Sequence, residues 1–350
     1  MIRSPHSAIS LDKMALAFEK DISAEFTIKA LLAAWPPDEL KPVMTYLHDN
    51  LHGILTDRPA ELEDHIGRLQ PLIDQAKADY LAAGHAMLNP KTGAVITNPA
   101  SIQTYLKNWV NKSIRAIFNY DNDNQSFISK DSGRLAYRHA RHLKVDSCPY
   151  CNANFTFTIK NKRMKCRPQF DHFLNKGRHP YLALSFFNLI PSCALCNSGA
   201  LKGSKPFSIT THVHPFLNDM EGLYNFRADV DAVDFLVNGD DFTLVLKPCK
   251  GISSAQYKKA QQNIKAFGLD DRYSYHKDIA SDVIKKAYFY NKSTVEALFT
   301  SFQIGNENIF KSESEIKELI LGNYMHPDNF HKRILSKLTK DIAEEFGLTI

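Results

Sequence analysis

Apolar positions in the first third of the chain recur every three or four residues, which is the spacing of an amphipathic helix. The pattern is clearest over residues 38–55, 59–88 and 101–120. A stretch rich in proline, glycine and asparagine at 89–101 interrupts it, as expected of a loop. We therefore predict that residues 1–130 form a mainly helical N-terminal region.

The pattern changes in the middle of the chain. Residues 134–145 keep a helical spacing, whereas 154–173 alternates and is rich in β-branched and aromatic residues. This composition predicts a β-hairpin with its turn near residues 160–163. Asp171 and His172 would end its second strand, where a local bend could let both line one site, although neighbouring strand residues point to opposite faces.

The last part of the chain, residues 216–350, is predicted to be mostly helical with a short β part. Residues 242–249 alternate like a strand. Helical spacing follows in five segments, which are 254–269, 275–290, 293–303, 313–324 and 329–348. The sequence of this region assigns it no chemistry.

The overall composition is that of an ordinary globular protein. Hydrophobic residues make up 44% of the 350 positions and charged residues 23%. No run approaches the roughly 18–20 apolar residues that a membrane span needs, and the N-terminus lacks the pattern of a signal peptide. We therefore expect a cytoplasmic protein without membrane contact. The net charge of +5 permits nucleic acid as a partner without requiring it.

Four of the six cysteines form two Cys-x-x-Cys pairs, Cys148 with Cys151 and Cys193 with Cys196. In a reducing compartment this spacing indicates metal ligation rather than disulfides. A two-residue gap lets a tight turn aim both thiolates at one ion, and four thiolates suit tetrahedral zinc. The pattern predicts a structural zinc site, with an iron–sulfur cluster as the alternative.

Polar residues with catalytic chemistry lie between and beside the cysteine pairs. Asp171 and His172 are followed by Asn188, and Asn197 directly follows the second pair, at the start of a predicted helix. A carboxylate binds hard cations such as Mg²⁺, and a neutral histidine accepts a proton near pH 7. An Asp-His dipeptide alone is a weak signal that also occurs on ordinary surfaces, so the interpretation depends on the order of the whole set.

The order Cys-x-x-Cys, Asp-His and then "NLIPSCALCN" resembles the HNH endonucleases, also called ββα-metal or His-Me finger nucleases. The match covers residues 146–203. It is most similar to HNH effectors of bacterial anti-phage systems, namely the Septu HNH subunit and retron-associated HNH proteins. The resemblance implies an α+β fold in which a ββα-metal nuclease core with a four-cysteine zinc knuckle, residues 131–215, is flanked by mainly helical N- and C-terminal regions.

The same resemblance implies a role for each polar residue. His172 would be the general base that activates water, and Asp171 and Asn197 would bind one catalytic Mg²⁺ or Mn²⁺ ion. Asn188 would tie down the loop and orient the backbone of the histidine. The cysteines would hold the zinc that fixes strand against helix. The sequence has no nucleotide-binding loop, and the anti-phage resemblance implies that a separate ATPase subunit would supply any ATP-driven control.

Basic residues near this core are candidates for phosphate contact. Those at the hairpin tip are equally typical of a solvated turn. Lys202 lies further from Asn197 than the corresponding lysine of the family lies from its asparagine, so a phosphate contact by Lys202 stays open. The candidates are Lys160, Lys162, Arg163, Lys165, Arg167, Lys176 and Lys202.

These observations together predict a metal-dependent HNH endonuclease that hydrolyses phosphodiesters, with DNA favoured as the substrate and anti-phage defence as the setting. Two alternatives remain. One is a zinc-ribbon module that binds nucleic acid or acts as an adaptor without catalysis. The other is an RNase, such as a tRNA-cleaving toxin. The complete set of four polar residues argues against the first alternative, because a binding module needs none of that chemistry.

Overall fold

The computed structural model describes residues 2–230, 242–305 and 307–349. Over these residues the protein is mixed α+β, with about half of the chain in helices and with small sheets. The N-terminal region is helical, as predicted. Its helices are α1 (Ala8–Glu25), α2 (Ile28–Ala33), α3 (Lys41–Asp49), α4 (Leu51–Thr56), α5 (Pro59–Ala82) and α6 (Pro99–Ile117).

The ends and faces of these helices follow from the local sequence. The Ser7 hydroxyl accepts a hydrogen bond from the Ser10 N–H and caps α1. Asn98 caps α6 in the same way, and Pro99 occupies its first turn, where no backbone donor is needed. The buried positions of α1 recur at helical spacing and are Leu11, Ala15, Phe18 and Ile22. The helical period therefore sets the face that α1 buries.

The predicted hairpin forms, but its strands are short. Helix α7 (Lys130–Leu143) precedes β1 (Ile159–Lys160), which pairs antiparallel with β2 (Lys165–Cys166). The turn spans residues 161–164, where the side chain of Asn161 accepts two backbone hydrogen bonds. The predicted position of the turn is confirmed.

Asp171 and His172 lie on a separate strand, so their predicted place on that hairpin is wrong. They belong to β3 (Gln169–His172), which pairs antiparallel with β4 (Leu189–Ser192) rather than with β1. Pro168, just before β3, has no N–H to continue a ladder with β1, which explains the break. The long connection after His172 returns the chain beside Asp171, which the sequence also predicted.

The helix predicted to begin at Asn197 does not form. Residues 194–204 are consecutive turns, in which the chain folds back so closely that a Cβ on Gly203 would lie 3.0 Å from the Gly199 Cα. Gly203 has a φ of 46°, which lies in the left-handed region, and the serine and glycine residues of this segment have low helix propensity. The β3–β4 pair therefore forms, whereas no regular helix follows it, and the ββα arrangement implied by the family resemblance is not confirmed.

The C-terminal region contains one longer antiparallel pair and several helices, as predicted. Strand β5 (Tyr224–Val230) pairs with β6 (Phe242–Pro248). The remaining elements are α8 (Ser254–Phe267), α9 (Leu269–Tyr273), α10 (Lys277–Phe289), α11 (Lys292–Ser301), β7 (Gln303–Ile304), β8 (Glu307–Asn308), α12 (Glu313–Leu321) and α13 (Ser336–Glu345). Helices α8, α10, α11 and α12 follow four of the predicted segments closely, whereas the short α9 was not predicted. The last predicted helix is divided into a 3-10 turn, Pro327–Lys332, and α13.

Buried apolar residues from the N-terminal, middle and C-terminal parts belong to one hydrophobic core. The site described below therefore has packed elements on several sides, with α1, α6 and α7 from one part of the chain and α8, α9 and α13 from another. Within the described ranges, no helix combines the length and apolar composition that crossing a membrane requires.

Candidate functional site

The two predicted cysteine pairs come together in space. The sulfur atoms of Cys148, Cys151, Cys193 and Cys196 are all within 4.8 Å of one another, and all four side chains are buried. The Cys151 and Cys193 sulfurs are 4.0 Å apart. A zinc–sulfur distance of about 2.3 Å places the sulfurs of a tetrahedral site about 3.8 Å apart. The four cysteines therefore fit a metal ion such as zinc.

Backbone N–H groups point at these sulfurs, as expected around thiolate ligands. The Ala153 N–H donates to the sulfur of Cys151, and the Cys193 N–H donates to that of Cys148, each at 3.4 Å. The Cys196 N–H donates to the Cys193 sulfur at the same distance. Such donors stabilise negative charge on sulfur, so the local backbone favours the deprotonated form that binds metal.

The C-terminal region contributes a cation to the cysteine cluster. A guanidinium nitrogen of Arg272 in α9 lies 3.3 Å from the Cys196 sulfur. Burial alone would lower the pKa of Arg272, but the thiolate charges of Cys196 and Cys151 raise it overall, so Arg272 stays charged. The hydroxyl of neighbouring Tyr273 donates to the Cys151 carbonyl at 2.5 Å. The sequence offered no signal for either contact, because 76 positions separate Arg272 from Cys196.

Asp171 is buried and both of its carboxylate oxygens have partners. The Tyr150 hydroxyl donates to Oδ2 at 2.6 Å, and the Lys202 ammonium lies 2.9 Å from Oδ1. Each carboxylate oxygen has two lone-pair positions, so these bonds leave acceptor capacity on both. Asp171 also lines a pocket, described below, into which that capacity can face.

His172 is buried and held in one tautomer. Its Nε2 lies 3.0 Å from the carbonyl oxygen of Ala183, and its ring packs edge-on against Tyr120. A carbonyl can only accept, so Nε2 carries the proton and Nδ1 of the neutral ring has a free lone pair. Burial, assisted by the positive charges of Lys176 and Lys202, lowers the pKa of His172 to about 3. The ring is therefore neutral at pH 7 with Nδ1 unprotonated, and it becomes a stronger base only when nearby negative charge raises this pKa.

Asn188 ties together two parts of the connection between β3 and β4. Its Oδ1 accepts from the Leu174 N–H at 2.6 Å, while its Nδ2 donates to the carbonyls of Leu174 and Leu182 at 3.0 and 2.9 Å. The Asn188 carbonyl also accepts from the N–H of Phe173. These bonds fix the backbone directly after His172, which agrees with the role that the family resemblance implies.

Replacing Asn188 with alanine should destabilise the protein, because three buried backbone groups lose their partners. We expect the free energy of unfolding to fall by about 3 kcal/mol, measured by urea denaturation. Asn263→Ala is the matched control, since Asn263 is equally buried and binds both backbone groups of Val213. Both variants should lose stability, but cleavage by the folded protein should fall in Asn188→Ala alone. Equal cleavage by the two variants would contradict the positioning role.

Asn197 lies beside the strand that carries Asp171. Its Nδ2 donates to Oε1 of Gln169 at 2.9 Å, which leaves its own carbonyl oxygen available as a ligand. Gln169 and Asp171 are two residues apart on β3 and therefore share one face of the strand. Carboxylate and amide oxygens are the ligands that Mg²⁺ prefers. Asp171 and Asn197 therefore offer donor atoms of the kind that suits a hard divalent cation. No local pattern in the sequence indicates that Gln169 orients the amide of Asn197.

Asp171, His172 and Asn197 line one pocket of about 600 Å³. Neighbouring strand residues thus reach a common site at the strand end, which the sequence analysis anticipated. Its wall carries more positive than negative charge, because Arg115, Arg167 and Lys176 line it together with two carboxylates, Asp121 and Asp171. A pocket with this charge favours an anion such as a phosphodiester.

The basic residues predicted to contact phosphate divide into three groups. Arg167 and Lys176 line the pocket, and Lys176 also pairs with Asp121. The ammonium of Lys160 lies over the ring of Tyr137, 4.9 Å from its centroid. The third group, at the hairpin tip, is exposed and consists of Lys162, Arg163 and Lys165.

Lys202 does not belong with them, and its prediction as a phosphate contact is wrong. The residue is 1% exposed, and its ammonium binds Asp171 and donates to the carbonyl of His172 at 2.6 Å. The turns after Cys196 direct its side chain inward, underneath β3, instead of along the surface. Its position in the sequence could not reveal this, because the segment was expected to be a helix.

The exposed hairpin tip provides a test for nucleic-acid contact. No acidic side chain pairs with Lys162 or Arg163 within the described residues, so both cations are available to phosphate. The double variant Lys162→Ala and Arg163→Ala should weaken binding at low salt and reduce the salt slope by about one unit per lost contact. Fluorescence anisotropy at several salt concentrations measures both quantities.

The control for this double variant is Lys258→Ala with Lys285→Ala. Both lysines are exposed in the C-terminal region and their loss changes the net charge equally. A salt slope that changes by the same amount in both double variants would identify the hairpin tip as ordinary solvated surface.

No protein-family model, curated protein or solved structure matches the chain. The functional assignment therefore rests on the motif resemblance and on the contacts described above.

Proposed function

We propose that the protein is a metal-dependent endonuclease of the HNH type, which hydrolyses phosphodiesters of nucleic acid, with DNA as the favoured substrate. The observation that supports this most directly is the fixed tautomer of His172. The Ala183 carbonyl keeps the proton on Nε2, so Nδ1 is the basic nitrogen. This base lines the same basic pocket as the oxygen ligands Asp171 and Asn197.

In this proposal His172 acts as the general base. Its Nδ1 takes a proton from a water molecule as the water oxygen attacks phosphorus, and the bond from phosphorus to the leaving oxygen breaks. A phosphodiester in the pocket also brings negative charge, which raises the pKa of a nearby histidine and strengthens it as a base. Arg115, Arg167 and Lys176 would hold the phosphate by charge.

Two kinds of metal ion belong to the proposal. Asp171 and Asn197 would hold Mg²⁺ or Mn²⁺, which as a Lewis acid stabilises negative charge developing on the phosphate. The four cysteines would hold zinc, which contributes to the stability of the fold. The residues present suit both ions, since oxygen donors select hard cations and thiolates select zinc.

The test uses purified protein with supercoiled plasmid, single-stranded DNA and total RNA, each with Mg²⁺, with Mn²⁺ and with EDTA. Cleavage of DNA that requires a divalent ion is the expected result. Cleavage of RNA alone would favour the RNase alternative. Binding of nucleic acid without cleavage under every condition would favour the zinc-ribbon module and contradict the proposed activity.

The proposed setting is anti-phage defence, with a separate ATPase subunit as partner. Its support is the motif resemblance alone. Co-expression with the neighbouring genes, followed by a plaque assay, tests it. We expect the co-expressed genes to protect cells against phage, and we expect this protection to disappear with a catalytic variant or with loss of an ATPase neighbour. Equal numbers of plaques in all strains would contradict the proposed setting.

A further inference from the structure

The carboxylate of Asp171 is held from two directions by residues to which no catalytic role has been assigned. Tyr150 binds one oxygen and Lys202 binds the other, at 2.6 and 2.9 Å. All three side chains are buried, with Lys202 and Asp171 only 1% and 2% exposed. Three polar groups gathered in this way inside a core fix one another's positions, because each can satisfy its hydrogen bonds only in this arrangement.

Tyr150 connects Asp171 with the first cysteine pair. It stands between Cys148 and Cys151 in the sequence "CPYC", so the turn that aims the cysteines also aims its side chain. The ring stacks on Phe267, with centroids 4.3 Å apart. The hydroxyl reaches out of this apolar contact to Asp171.

Lys202 connects Asp171 with the second cysteine pair. Its N–H donates to the Cys196 carbonyl at 3.4 Å, so its backbone is attached to that knuckle. Its ammonium binds Asp171 Oδ1 and the His172 carbonyl, and it lies 4.8 Å from the centroid of the Phe207 ring. One lysine therefore holds the side chain of Asp171 and the backbone of His172 together.

We propose that Tyr150 and Lys202 are positioning residues, which orient the Asp171 carboxylate and balance its charge before a divalent ion binds. Each is supplied by one zinc knuckle, so the zinc site sets the geometry of the ion site through these two side chains. This inference rests on the proposed function, because it treats Asp171 as a ligand of the catalytic ion. It assigns the cysteine cluster a direct link to catalysis in addition to its stabilising role.

The hydroxyl of Tyr150 is tested with Tyr150→Phe, which keeps the ring on Phe267. The freed Oδ2 can turn towards the Lys202 ammonium, so Asp171 is less available to an ion. We expect the dissociation constant for Mn²⁺, measured by electron paramagnetic resonance of the free ion, to rise about ten-fold. Tyr273→Phe is the matched control, since it removes another buried hydroxyl from the first knuckle without touching Asp171. Equal Mn²⁺ affinity in the two variants would overturn the role of Tyr150.

The ammonium of Lys202 is tested with Lys202→Met, which keeps a similar shape but leaves Asp171 without its cation. We expect a lowered melting temperature without divalent ion and a large recovery with saturating Mn²⁺, because the ion replaces the missing charge. Lys337→Met is the control: Lys337 is equally buried and pairs with Asp341 and Glu221 in the C-terminal region. Recovery by Mn²⁺ should be absent there. The same response to Mn²⁺ in both lysine variants would overturn the role of Lys202.

The wild-type protein separates this inference from the proposed function. If it binds no Mn²⁺ and cleaves no nucleic acid, the proposed function fails and the positioning roles fail with it. If it binds Mn²⁺ and cleaves while Tyr150→Phe and Lys202→Met behave like their controls, the positioning roles alone are overturned.

Discussion

Cleavage is expected to fall by roughly 10²–10⁴ when His172 is replaced by alanine, which is the usual range for loss of a general base. Zinc content and nucleic-acid binding should be retained, because His172 touches neither the cysteines nor the exposed hairpin tip. The variant leaves the Ala183 carbonyl without its donor, so a loss of about 1–3 kcal/mol of stability is also expected. Single-turnover cleavage at saturating protein, far below the melting temperature, measures the chemical step separately from folding.

A second buried histidine provides the control. His214 also donates from Nε2 to a backbone carbonyl, that of Phe187 at 3.0 Å, and burial lowers its pKa to about 3. It does not line the pocket of His172. His214→Ala should therefore lose comparable stability while still cleaving. If His172→Ala cut every nucleic acid at the wild-type rate, the general-base assignment would be wrong and a binding module would explain the protein better.

Loss of one cysteine ligand should have the largest effect on the fold. We expect about one zinc per chain in the wild type, and we expect Cys193→Ser to release it. Binding of structural zinc contributes directly to folding free energy, so the melting temperature should fall by roughly 10 °C or more. Elemental analysis by mass spectrometry and a thermal scan measure the two effects on the same sample.

Cys166 provides a matched control for Cys193. It is exposed on β2 and lies outside the four-cysteine cluster. Cys166→Ser should therefore keep its zinc and its melting temperature. Iron with visible absorbance in the purified protein would indicate the iron–sulfur alternative, and a metal-free, stable wild type would exclude a structural metal altogether.

The parts of the fold that follow from local pattern could be predicted from the sequence. Helices such as α1 and α6 bury one face and have capping residues at their starts, and both signals are local. The cysteine cluster was predictable for the same reason, because a two-residue gap already constrains each pair. Once two such pairs occur, one metal site is the simplest arrangement that satisfies both.

The predictions that were wrong concern strand pairing and side-chain burial, which depend on contacts between residues far apart in the sequence. Whether β3 pairs with β1 or β4 depends on a partner that the alternating pattern does not identify. The turns after Cys196 and the burial of Lys202 arise together, since the ammonium is drawn inward by Asp171, 31 positions earlier in the chain. Tyr150 had a local signal that could have been used, because a tyrosine between two metal ligands has its orientation fixed by them.

The contacts between the two cysteine knuckles and the C-terminal region bear on how this protein can be dissected. From α9, Arg272 contacts Cys196 of the second knuckle and Tyr273 contacts Cys151 of the first. The Asn152 carbonyl, next to the first knuckle, accepts a hydrogen bond from the Leu335 N–H. A fragment limited to residues 131–215 would contain every cysteine ligand, the proposed base and both proposed ligands of the catalytic ion, although not Arg115, which is proposed to hold the phosphate. It would nevertheless lack the counter-charge beside Cys196 and would expose the knuckle to water. Deletion mapping would then score such a fragment as inactive and wrongly credit the catalytic chemistry to the missing helices.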